Sequence, residues 1–378
     1  EADRASRERN SIGTIFAIGS VTKTFTAAAI ELLAGRGLLR YSDALDKYVP
    51  EYRYAKDVTI EQLLGHTAGI PDFYALPAFA AMRSQDLTLS RVAKWLSDFP
   101  LDFTPGTKSR YSNSGYSLLA LVIERVSGEA YGDFLHDNVF VPLGLRHTFS
   151  GASSEAGSIA RGYDPGPAPV YLQTAATIAP GWLRGNGSVY STAADLSRWL
   201  DVAAAGTFTN FKTLPYPYGW SQRTIDGAVV LGQNGRIPGF ASDISIDERS
   251  GLKVIVLSNV QCAATSTIAG DIRRAAGGAQ ILAPPIRPSY TPSAAQLALY
   301  VGQYALPSLP LLVFSESGSL FLSNMNDGMK LPLDAIGPGR FFFRPLYAYV
   351  TFETDSHGIV NSITWNRQLR IPRVSPRR

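Results

Sequence analysis

The residues best suited to catalysis by type and spacing are Ser20 and Lys23, in the segment FAIGSVTKTFTA at 16–27. Three residues apart on a helix, the two side chains share one face and come within hydrogen-bond reach. A serine hydroxyl becomes a nucleophile when a neighbouring base takes its proton. A lysine can be that base if burial lowers its pKa from the reference of about 10.4. Ser-x-x-Lys also occurs by chance, as a helix cap followed by a solvated lysine, so the pair needs a context.

The elements predicted around this pair place Ser20 at the start of a helix. An apolar, strand-like run from Phe16 enters a tight turn at Gly19, and apolar residues then recur at helical spacing as far as Gly35. At a helix N-terminus the macrodipole and the free backbone N–H groups favour developing negative charge. That position suits a nucleophilic serine.

Further helices and strands follow in an order typical of an α+β domain. Apolar spacing predicts helices at 59–64, 89–96, 114–127, 130–139, 193–204 and 265–276. β-rich segments separated by glycine or charged turns predict consecutive antiparallel strands at 228–232, 242–247 and 253–259. Helices mixed with a late antiparallel sheet, without strict βαβ repetition, indicate the α+β class.

The residue pattern changes after a proline-rich linker, APPIRP at 283–288. Prolines at this density stiffen the chain and end the helix before them. Short, alternating, aromatic-rich segments follow the linker, and they predict a small closed antiparallel barrel or sandwich. We therefore expect a first domain at 1–282, the linker at 283–288 and a β-barrel domain at 289–378.

Composition and charge exclude several classes of protein. Of the 378 residues, 45% are hydrophobic and 17% are charged, which is a globular composition and not that of a disordered or fibrous protein. The net charge of +4 forms no basic stripe interleaved with aromatic residues, so we expect no nucleic-acid partner. One cysteine and four scattered histidines predict no disulfide framework, no metal site and no cofactor. No segment predicts a membrane span, and no signal peptide is visible.

Five other motifs share this chain with Ser-x-x-Lys, and the whole set resembles one family. In chain order the five motifs are LLGHTAGIPD at 63–72, PGT at 105–107, YSNSGY at 111–116, VYSTAADL at 189–196 and GQNGRIPGF at 232–240. In this order they resemble the serine β-lactamase and penicillin-binding-protein-like family, on the class C-like branch near D-aminopeptidases and family VIII esterases. The likeness covers about residues 12–280, and the C-terminal segment resembles the lipocalin-like barrel of some relatives.

The resemblance implies a covalent mechanism in which four residues have roles. Ser20 would be the acylated nucleophile, and Lys23 would take its proton. Tyr111 would be a second general acid/base that shuttles a proton toward the leaving group. Asn113 would hold the substrate amide and orient Lys23. Tyr111 and Asn113 also have plainer interpretations, as a surface turn tyrosine and as the N-cap of the helix at 114–127.

The same resemblance assigns the substrate-binding edge to the segment QNGR at 233–236. The oxyanion hole would consist of the backbone N–H groups of Ser20 and Arg236, beside Gln233, Asn234 and Gly235. Donors placed in this way are worth about 3 kcal/mol each. Relatives usually have His, Lys or, in some esterases, Trp at the position of Gln233. Its neutral amide does not titrate near neutral pH, which disfavours carboxypeptidase and β-lactamase activity more than simple esterase chemistry.

Two segments are shorter than the family pattern, and one histidine has a plainer role than its motif suggests. Only residues 1–15 precede the strand at Phe16, where relatives supply two strands, so we expect a smaller sheet unless the chain is incomplete. The segment 206–218 is also short. His66 lies in a loop for which packing or capping is expected in preference to catalysis.

These observations predict a β-lactamase/DD-peptidase-like domain followed by a β-barrel. The expected reaction is hydrolysis of an ester or amide in a small molecule or short peptide, through an acyl-serine. Two alternatives stay open: an acyl-transferase or peptide cyclase, in which an amine resolves the acyl-enzyme, and a non-catalytic or impaired penicillin-binding-like protein. The resemblance also implies an extracytoplasmic location, and it leaves the oligomeric state open.

Overall fold

The computed structural model describes residues 1–151, 158–165, 172–206, 218–225, 227–281, 288–306, 309–324, 330–344, 348–366 and 373–376. The chain divides into two units, the first built from Glu1–Gly162 and Ala176–Asn259 and the second from Tyr163–Ala175 and Val260–Arg378. The predicted linker at 283–288 and the short segment at 206–218 fall mainly outside the described residues. The predicted domain boundary at 282 therefore stays a prediction.

Most helices of the first unit lie where the apolar spacing predicts them. The segment predicted as a helix at 130–139 changes character after its first turn and continues as a π-helical turn at His136–Phe140. Short 3-10 turns lie at Gly19–Val21, Leu45–Lys47, Ala55–Asp57 and Phe73–Ala75. The α-helices are α1 (Thr22–Gly35), α2 (Ile60–Leu64), α3 (Phe79–Met82), α4 (Leu89–Leu96), α5 (Asn113–Ser127), α6 (Tyr131–Leu135), α7 (Pro180–Leu183) and α8 (Ala193–Ala204).

The ends of α5 are set by its own sequence. The Ser112 hydroxyl accepts a hydrogen bond from the Gly115 N–H at 3.4 Å and satisfies one of the free N–H groups of the first turn. The helix ends at Gly128, whose φ of 78° is readily adopted only by glycine. Asn113 is the first residue of the helix, so the interpretation of Asn113 as its N-cap is wrong. Its side chain is left for other contacts.

Helices α1 and α5 form the centre of the first unit and are buried on nearly all sides. A helix that is apolar all round belongs in a core. In α1 the Phe25 ring stacks on Trp199 with 4.3 Å between ring centroids, and the Trp199 Nε1 donates to the Thr24 hydroxyl at 2.8 Å. These contacts fix α1, and with it the position of Lys23.

The described residues of the first unit form one sheet of three strands and one of four. Strands β1 (Phe16–Ala17), β2 (Phe149–Ser150) and β5 (Val189–Ser191) form a small sheet in the order β1-β5-β2. An antiparallel sheet in the order β6-β7-β8-β9 contains the later strands. In residues 1–15, all of which are described, no strand adds to it. Its strands are β6 (Ser221–Ile225), β7 (Ala228–Ile237), β8 (Phe240–Asp247) and β9 (Lys253–Ser258).

Strand β7 is longer than the predicted strand at 228–232 and includes all of the QNGR segment. It pairs antiparallel with β8, so that Gly235 lies opposite Ser242 and Arg236 lies opposite Ala241. Because successive strand residues face opposite sides, Gln233 and Gly235 are buried on one face. Asn234 and Arg236 are exposed on the other.

The second unit is dominated by an antiparallel meander in which each strand pairs with the next. The first and last strands also lie against each other, so the sheet is a nearly closed barrel, as predicted. The unit further contains the pair β3 (Tyr163–Pro165) and β4 (Leu172–Thr174), and the helices α9 (Thr265–Ala276) and α10 (Ala294–Tyr300). The barrel strands are β10 (Gly302–Leu306), β11 (Leu309–Glu316), β12 (Ser319–Asn324), β13 (Lys330–Gly337), β14 (Arg340–Phe343), β15 (Ala348–Thr354), β16 (Val360–Asn366) and β17 (Arg373–Pro376).

Alternate side chains along the barrel strands fill its interior. Val313, Leu320, Phe341 and Val350 are each at most 1% exposed and belong to one apolar cluster. The aromatic alternation after residue 300 is therefore a packed core. Sequence patterns predict neither α10, which begins with a capping box, nor the final strand β17. Of the helices that the structure describes, none combines the length and apolar character needed to cross a bilayer.

Candidate active site

Ser20 lies in a tight turn between β1 and α1. The turn is a 3-10 helix at Gly19–Val21, and α1 begins only at Thr22. Ser20 is thus just ahead of the helix, and the predicted start of the α-helix at Ser20 is wrong by two residues. No side chain caps α1, so the serine hydroxyl is not engaged as a cap. Gly19 has a φ of 53°, a left-handed conformation that suits glycine.

Lys23 is completely buried one turn into this segment. Its Nζ lies 3.3 Å from Ser20 Oγ, and it donates to Asn113 Oδ1 at 2.7 Å and to the Asn186 carbonyl at 2.8 Å. Burial lowers the pKa of Lys23 to about 7, because the charged form loses its hydration, and the negative charge of Asp72 opposes this shift. Near neutral pH a large fraction of Lys23 is therefore the free amine, which can accept a proton.

Tyr111 also contacts the Ser20 hydroxyl. Its OH lies 2.8 Å from Ser20 Oγ, and its ring lies 4.9 Å from Lys23 Nζ. Desolvation raises the pKa of Tyr111 above its usual value, and the hydrogen bond to Ser20 acts against this. The phenol therefore stays protonated at neutral pH and is a proton donor beside Ser20. Since 41% of the side chain is exposed, a substrate can reach it.

His66 holds the loop that carries Tyr111. Its backbone carbonyl accepts from the Arg110 N–H at 2.9 Å, and its Nδ1 accepts from the Ser112 N–H at 3.2 Å. The two bonds flank Tyr111, whose ring packs on the imidazole at 4.5 Å. Burial, with the nearby Lys23 charge, lowers the pKa of His66 to about 3. A neutral, buried ring agrees with a packing role.

Asn113 links Lys23 to Asp72, a half-buried group that the sequence motifs do not point to. While its Oδ1 accepts from Lys23, its Nδ2 donates to the two carboxylate oxygens of Asp72 at 3.0 and 3.2 Å. Asp72 follows Pro71 in the LLGHTAGIPD motif. The signal available in the sequence was a charged residue directly after an apolar motif, and that signal is weak because such residues usually face solvent.

The third acceptor of Lys23 comes from the turn at 185–187, which the sequence predicts only as a turn. Gly185 has a φ of 82°, and a Cβ there would lie 2.2 Å from the Tyr116 carbonyl oxygen. The Asn186 side chain donates to Trp182 O at 2.6 Å and to Ser117 Oγ at 2.9 Å. These bonds hold the turn against α5, with the Asn186 carbonyl on Lys23.

Strand β7 packs edge-on against the Ser20 turn. A Cβ on Gly19 would lie 2.8 Å from the Arg236 backbone nitrogen, and a Cβ on Gly235 would lie 1.9 Å from the Ile18 carbonyl oxygen. Both positions therefore require glycine. The Ser242 hydroxyl on β8 also donates to the Ile18 carbonyl at 2.8 Å. The backbone N–H groups of Ser20 and Arg236, the predicted oxyanion donors, are brought to neighbouring positions.

Gln233 is 5% exposed, and the backbone engages both ends of its amide. Its Nε2 donates to the Gly219 carbonyl at 2.8 Å, and its Oε1 accepts from the Asn234 N–H at 3.0 Å. The side chain thus supports the strand and supplies no charge. The exposed Arg236 is a cationic side chain on this edge.

Aromatic side chains continue the site beyond Asp72. The Asp72 carboxylate accepts from the Tyr74 N–H at 3.3 Å, which places Phe73 and Tyr74 in a short 3-10 turn. Phe73 is fully buried and packs on Trp182, whereas Tyr74 is 37% exposed. In the described part of the chain, no cluster of three or more His, Cys, Asp or Glu side chains is arranged to hold a metal ion.

The sequence matches known proteins over most of its length. The pattern of the beta-lactamase family matches residues 2–278. A penicillin-binding protein of Bacillus subtilis (strain 168) is 29% identical over 382 residues, which cover 90% of this chain and 82% of the relative.

Two solved structures share the fold. The octameric penicillin-binding protein homologue from Pyrococcus abyssi has a TM-score of 0.65 and 20% identity, over 99% of this chain and 91% of that chain. The D-amino acid amidase from Ochrobactrum anthropi SV3, complexed with D-phenylalanine, has a TM-score of 0.61 and 23% identity, over 68% of this chain and 81% of that chain. The predicted resemblance and fold class are confirmed, and the chain belongs to the beta-lactamase family.

Proposed function

We propose that this protein is a serine hydrolase that cleaves an ester or amide bond through a covalent acyl-serine at Ser20. The observation that carries the proposal is the position of Ser20 Oγ, 3.3 Å from Lys23 Nζ and 2.8 Å from the Tyr111 hydroxyl. Burial gives this lysine a pKa of about 7, so a base and an acid face the same hydroxyl. Nucleophilic catalysis by serine needs this combination.

Acylation begins when Ser20 Oγ bonds to the substrate carbonyl carbon and its proton passes to Lys23 Nζ. The carbonyl oxygen becomes an oxyanion, which the backbone N–H groups of Ser20 and Arg236 stabilise by about 3 kcal/mol each. When the tetrahedral intermediate collapses, the bond to the leaving alcohol or amine breaks. The leaving group takes the Tyr111 proton, and the proton held by Lys23 then restores the tyrosine.

Water resolves the acyl-enzyme by the reverse sequence of proton transfers. A water molecule adds to the acyl carbon and gives one proton to the pair Lys23 and Tyr111, whose protonation states are coupled. The ester bond to Ser20 Oγ breaks, the serine regains a proton, and the carboxylic acid leaves. An amine in place of water gives the acyl-transferase or cyclase reaction.

The proposed substrates are small molecules or short peptides with a D-configured or otherwise unusual acyl group. The fold shared with a D-amino acid amidase supports this class, and the neutral Gln233 favours substrates without a free carboxylate. A location outside the cytoplasm is part of the proposal, on the strength of penicillin-binding relatives. A homologue of the same fold is octameric, so an assembly of several copies is a further expectation.

Covalent labelling tests the acyl-serine. The protein is incubated with a fluorophosphonate and with a fluorescent penicillin, and the intact mass is measured. Wild type should gain one adduct, and Ser20→Ala should gain none while its melting temperature stays nearly unchanged. Ser245→Ala, which removes the hydroxyl of a buried serine elsewhere in the first unit, should label like wild type. Labelling of Ser20→Ala at the wild-type rate contradicts the assignment of the nucleophile.

A substrate panel on the same preparation tests the chemistry. It contains p-nitrophenyl esters, D-amino-acid amides and a chromogenic cephalosporin, each with and without a competing amine. Release of the free acid, with little amide formed from the added amine, supports the hydrolase. Transfer of most of the acyl group to the added amine favours a transferase. Binding of these compounds without any adduct or turnover favours a non-catalytic binding protein and contradicts the proposal.

A further inference from the structure

We infer that Asp72 is a positioning residue for acylation, which acts on Lys23 through the side-chain amide of Asn113. The inference rests on the proposed acyl-serine mechanism and adds a half-buried carboxylate to it. Asp72 does not touch Ser20 or Lys23 in the structure. Its effect is to fix the amide of Asn113 and to provide negative charge behind the base.

A continuous chain of hydrogen bonds connects the carboxylate to the nucleophile. Asp72 accepts from Asn113 Nδ2 at 3.0 and 3.2 Å, Asn113 Oδ1 accepts from Lys23 Nζ at 2.7 Å, and Nζ lies 3.3 Å from Ser20 Oγ. When it is protonated, Lys23 Nζ acts only as a hydrogen-bond donor, whereas an ionised carboxylate acts only as an acceptor. The amide between them therefore has one allowed orientation, with its oxygen toward Lys23.

The backbone around Asp72 is held on both sides by one hydroxyl of α5. Ser114 Oγ donates to the Pro71 carbonyl at 2.7 Å and accepts from the Phe73 N–H at 3.0 Å. Asn113 and Ser114 are adjacent on this helix. Consecutive residues of one helix thus hold the carboxylate and its backbone, so their mutual geometry is rigid.

Acylation turns Lys23 from an amine into an ammonium ion at a fully buried position, and this is the step that a nearby carboxylate assists. The titratable or charged groups around Lys23 are Asp72, the neutral imidazole of His66, the protonated phenol of Tyr111 and the ring of Tyr116. Among these described groups, Asp72 is the one that can carry a negative charge at neutral pH. An opposite charge nearby favours the ammonium form.

The opposing influences on Lys23 make it a base of intermediate strength. Burial lowers its pKa, and Asp72 raises it again, so that it lies near 7. Burial raises the pKa of Asp72, and the hydrogen bonds from Tyr74 and Asn113 and the charge of Lys23 oppose this. Without the carboxylate, Lys23 would be a weaker base that is free at lower pH.

Asp72→Asn tests the charge while leaving an acceptor for Asn113. The measurement is the rate of acylation by a non-ionising ester between pH 5 and 9. The rate should rise with pH until Lys23 is deprotonated, and this rising part of the profile is called the acidic limb. We expect the acidic limb to move to lower pH by about one unit, because the Lys23 pKa falls. The plateau should fall about three- to tenfold, because a weaker base transfers the proton less well. A role in folding alone would lower the rate without moving the limb.

Asp195→Asn is the matched control, because Asp195 is buried and, like Asp72, accepts hydrogen bonds, from the His147 N–H at 2.7 Å and Thr148 Oγ1 at 2.9 Å. It should lower the melting temperature and leave the acidic limb in place.

The exchange Asp72→Asn with Asn113→Asp brings the carboxylate next to Lys23. This double variant should move the acidic limb to higher pH and recover activity there. It also tests the role of Asp72 if Asp72→Asn alone does not fold.

The two proposals fail in different ways. If wild type forms an acyl adduct on Ser20 but Asp72→Asn keeps the wild-type limb, the role of Asp72 is wrong and the acyl-serine stands. A limb that moves in the same direction in both Asp72→Asn and the exchange also overturns the role of Asp72. If wild type forms no adduct, the proposed function itself fails.

Discussion

The two sides of Ser20 differ in the groups that they present, which are side chains on one side and backbone groups on the other. On the helix side, made of Lys23, Asn113, Asp72 and the Asn186 carbonyl, buried or half-buried side chains bond to one another in one network. On the strand side, the QNGR segment at 233–236 of β7, backbone groups face Ser20 and glycines allow their approach. The helix side contains the titratable base, whereas the buried amide of the strand side is neutral.

This difference separates two tasks within one site. In the mechanism that we propose, the helix side determines when Ser20 loses its proton, because desolvation and a nearby carboxylate together set the basicity of Lys23. In the same proposal the strand side determines where the substrate carbonyl sits, because its backbone donors need a close fit and no particular charge. A change on the helix side should therefore alter pH dependence, and a change on the strand side should alter rate or substrate preference at constant pH dependence.

The largest expected effect is the loss of either proton carrier beside Ser20. Lys23→Ala or Tyr111→Phe should reduce the rate of acylation by about two to four orders of magnitude, the usual scale of general acid–base catalysis. Single-turnover labelling with a fluorophosphonate measures it. Lys47→Ala, which removes an exposed lysine paired with Asp43, serves as the control. Losses below tenfold in both variants would show that the base lies elsewhere.

A methyl group on the strand side should have the next largest effect. In Gly235→Ala the new Cβ meets the Ile18 carbonyl oxygen and Ser242 Oγ, so β7 must move away from the Ser20 turn. We expect a loss of about 1–3 kcal/mol of unfolding free energy from the overpacking. Displacement of an oxyanion donor should also reduce acylation by about 100-fold, with the pH dependence unchanged.

Gly270→Ala is the matched control for this substitution. Gly270 lies within α9 and has no neighbour within 4 Å of an added Cβ, so alanine there should stabilise the helix by about 1 kcal/mol. Melting temperatures and acylation rates of the two variants give the comparison. If Gly235→Ala labels at the wild-type rate, β7 does not provide the oxyanion donor.

The sequence predicts the two sides unequally well. Apolar spacing locates α4, α8 and α9 at their observed ends, because local propensity and burial agree there. Ser20, Lys23 and Tyr111 are found through their motifs. Asp72 and Asn186 are not, because their roles depend on contacts with residues 41 and 163 positions away in the chain.

Some boundaries also depend on tertiary structure. The 3-10 turn at Gly19–Val21 shifts the start of α1, since the backbone of β7 requires a left-handed Gly19 at that point. Strand β7 extends through the QNGR segment because β8 pairs with all of it, although Asn and Gly disfavour strands in isolation. Tertiary pairing overrides local propensity in both places.

The smallest expected effect is a substrate preference on the strand side. Gln233 forgoes the charge-assisted bond that a basic residue offers to a carboxylate, a difference of about tenfold in affinity. Neutral esters should therefore be turned over better than penicillins or peptides with a free C-terminus, and Gln233→His should narrow the gap. Ratios of kcat/KM for matched neutral and carboxylated substrates measure it. Faster turnover of the carboxylated substrate by wild type, unchanged in Gln233→His, would indicate that Arg236 supplies the charge.

The most direct test of the central claim, that a buried Lys23 is the base for Ser20, is the pH profile of acylation. The rate constant is measured between pH 5 and 9 with a non-ionising p-nitrophenyl ester. Lys23 acts only as the free amine, so the rate should rise about tenfold per pH unit below a pKa of about 7 and then level off. Lys23→Ala should lose this limb. A wild-type rate that is still rising tenfold per unit at pH 9, or a limb that persists in Lys23→Ala, would contradict the account.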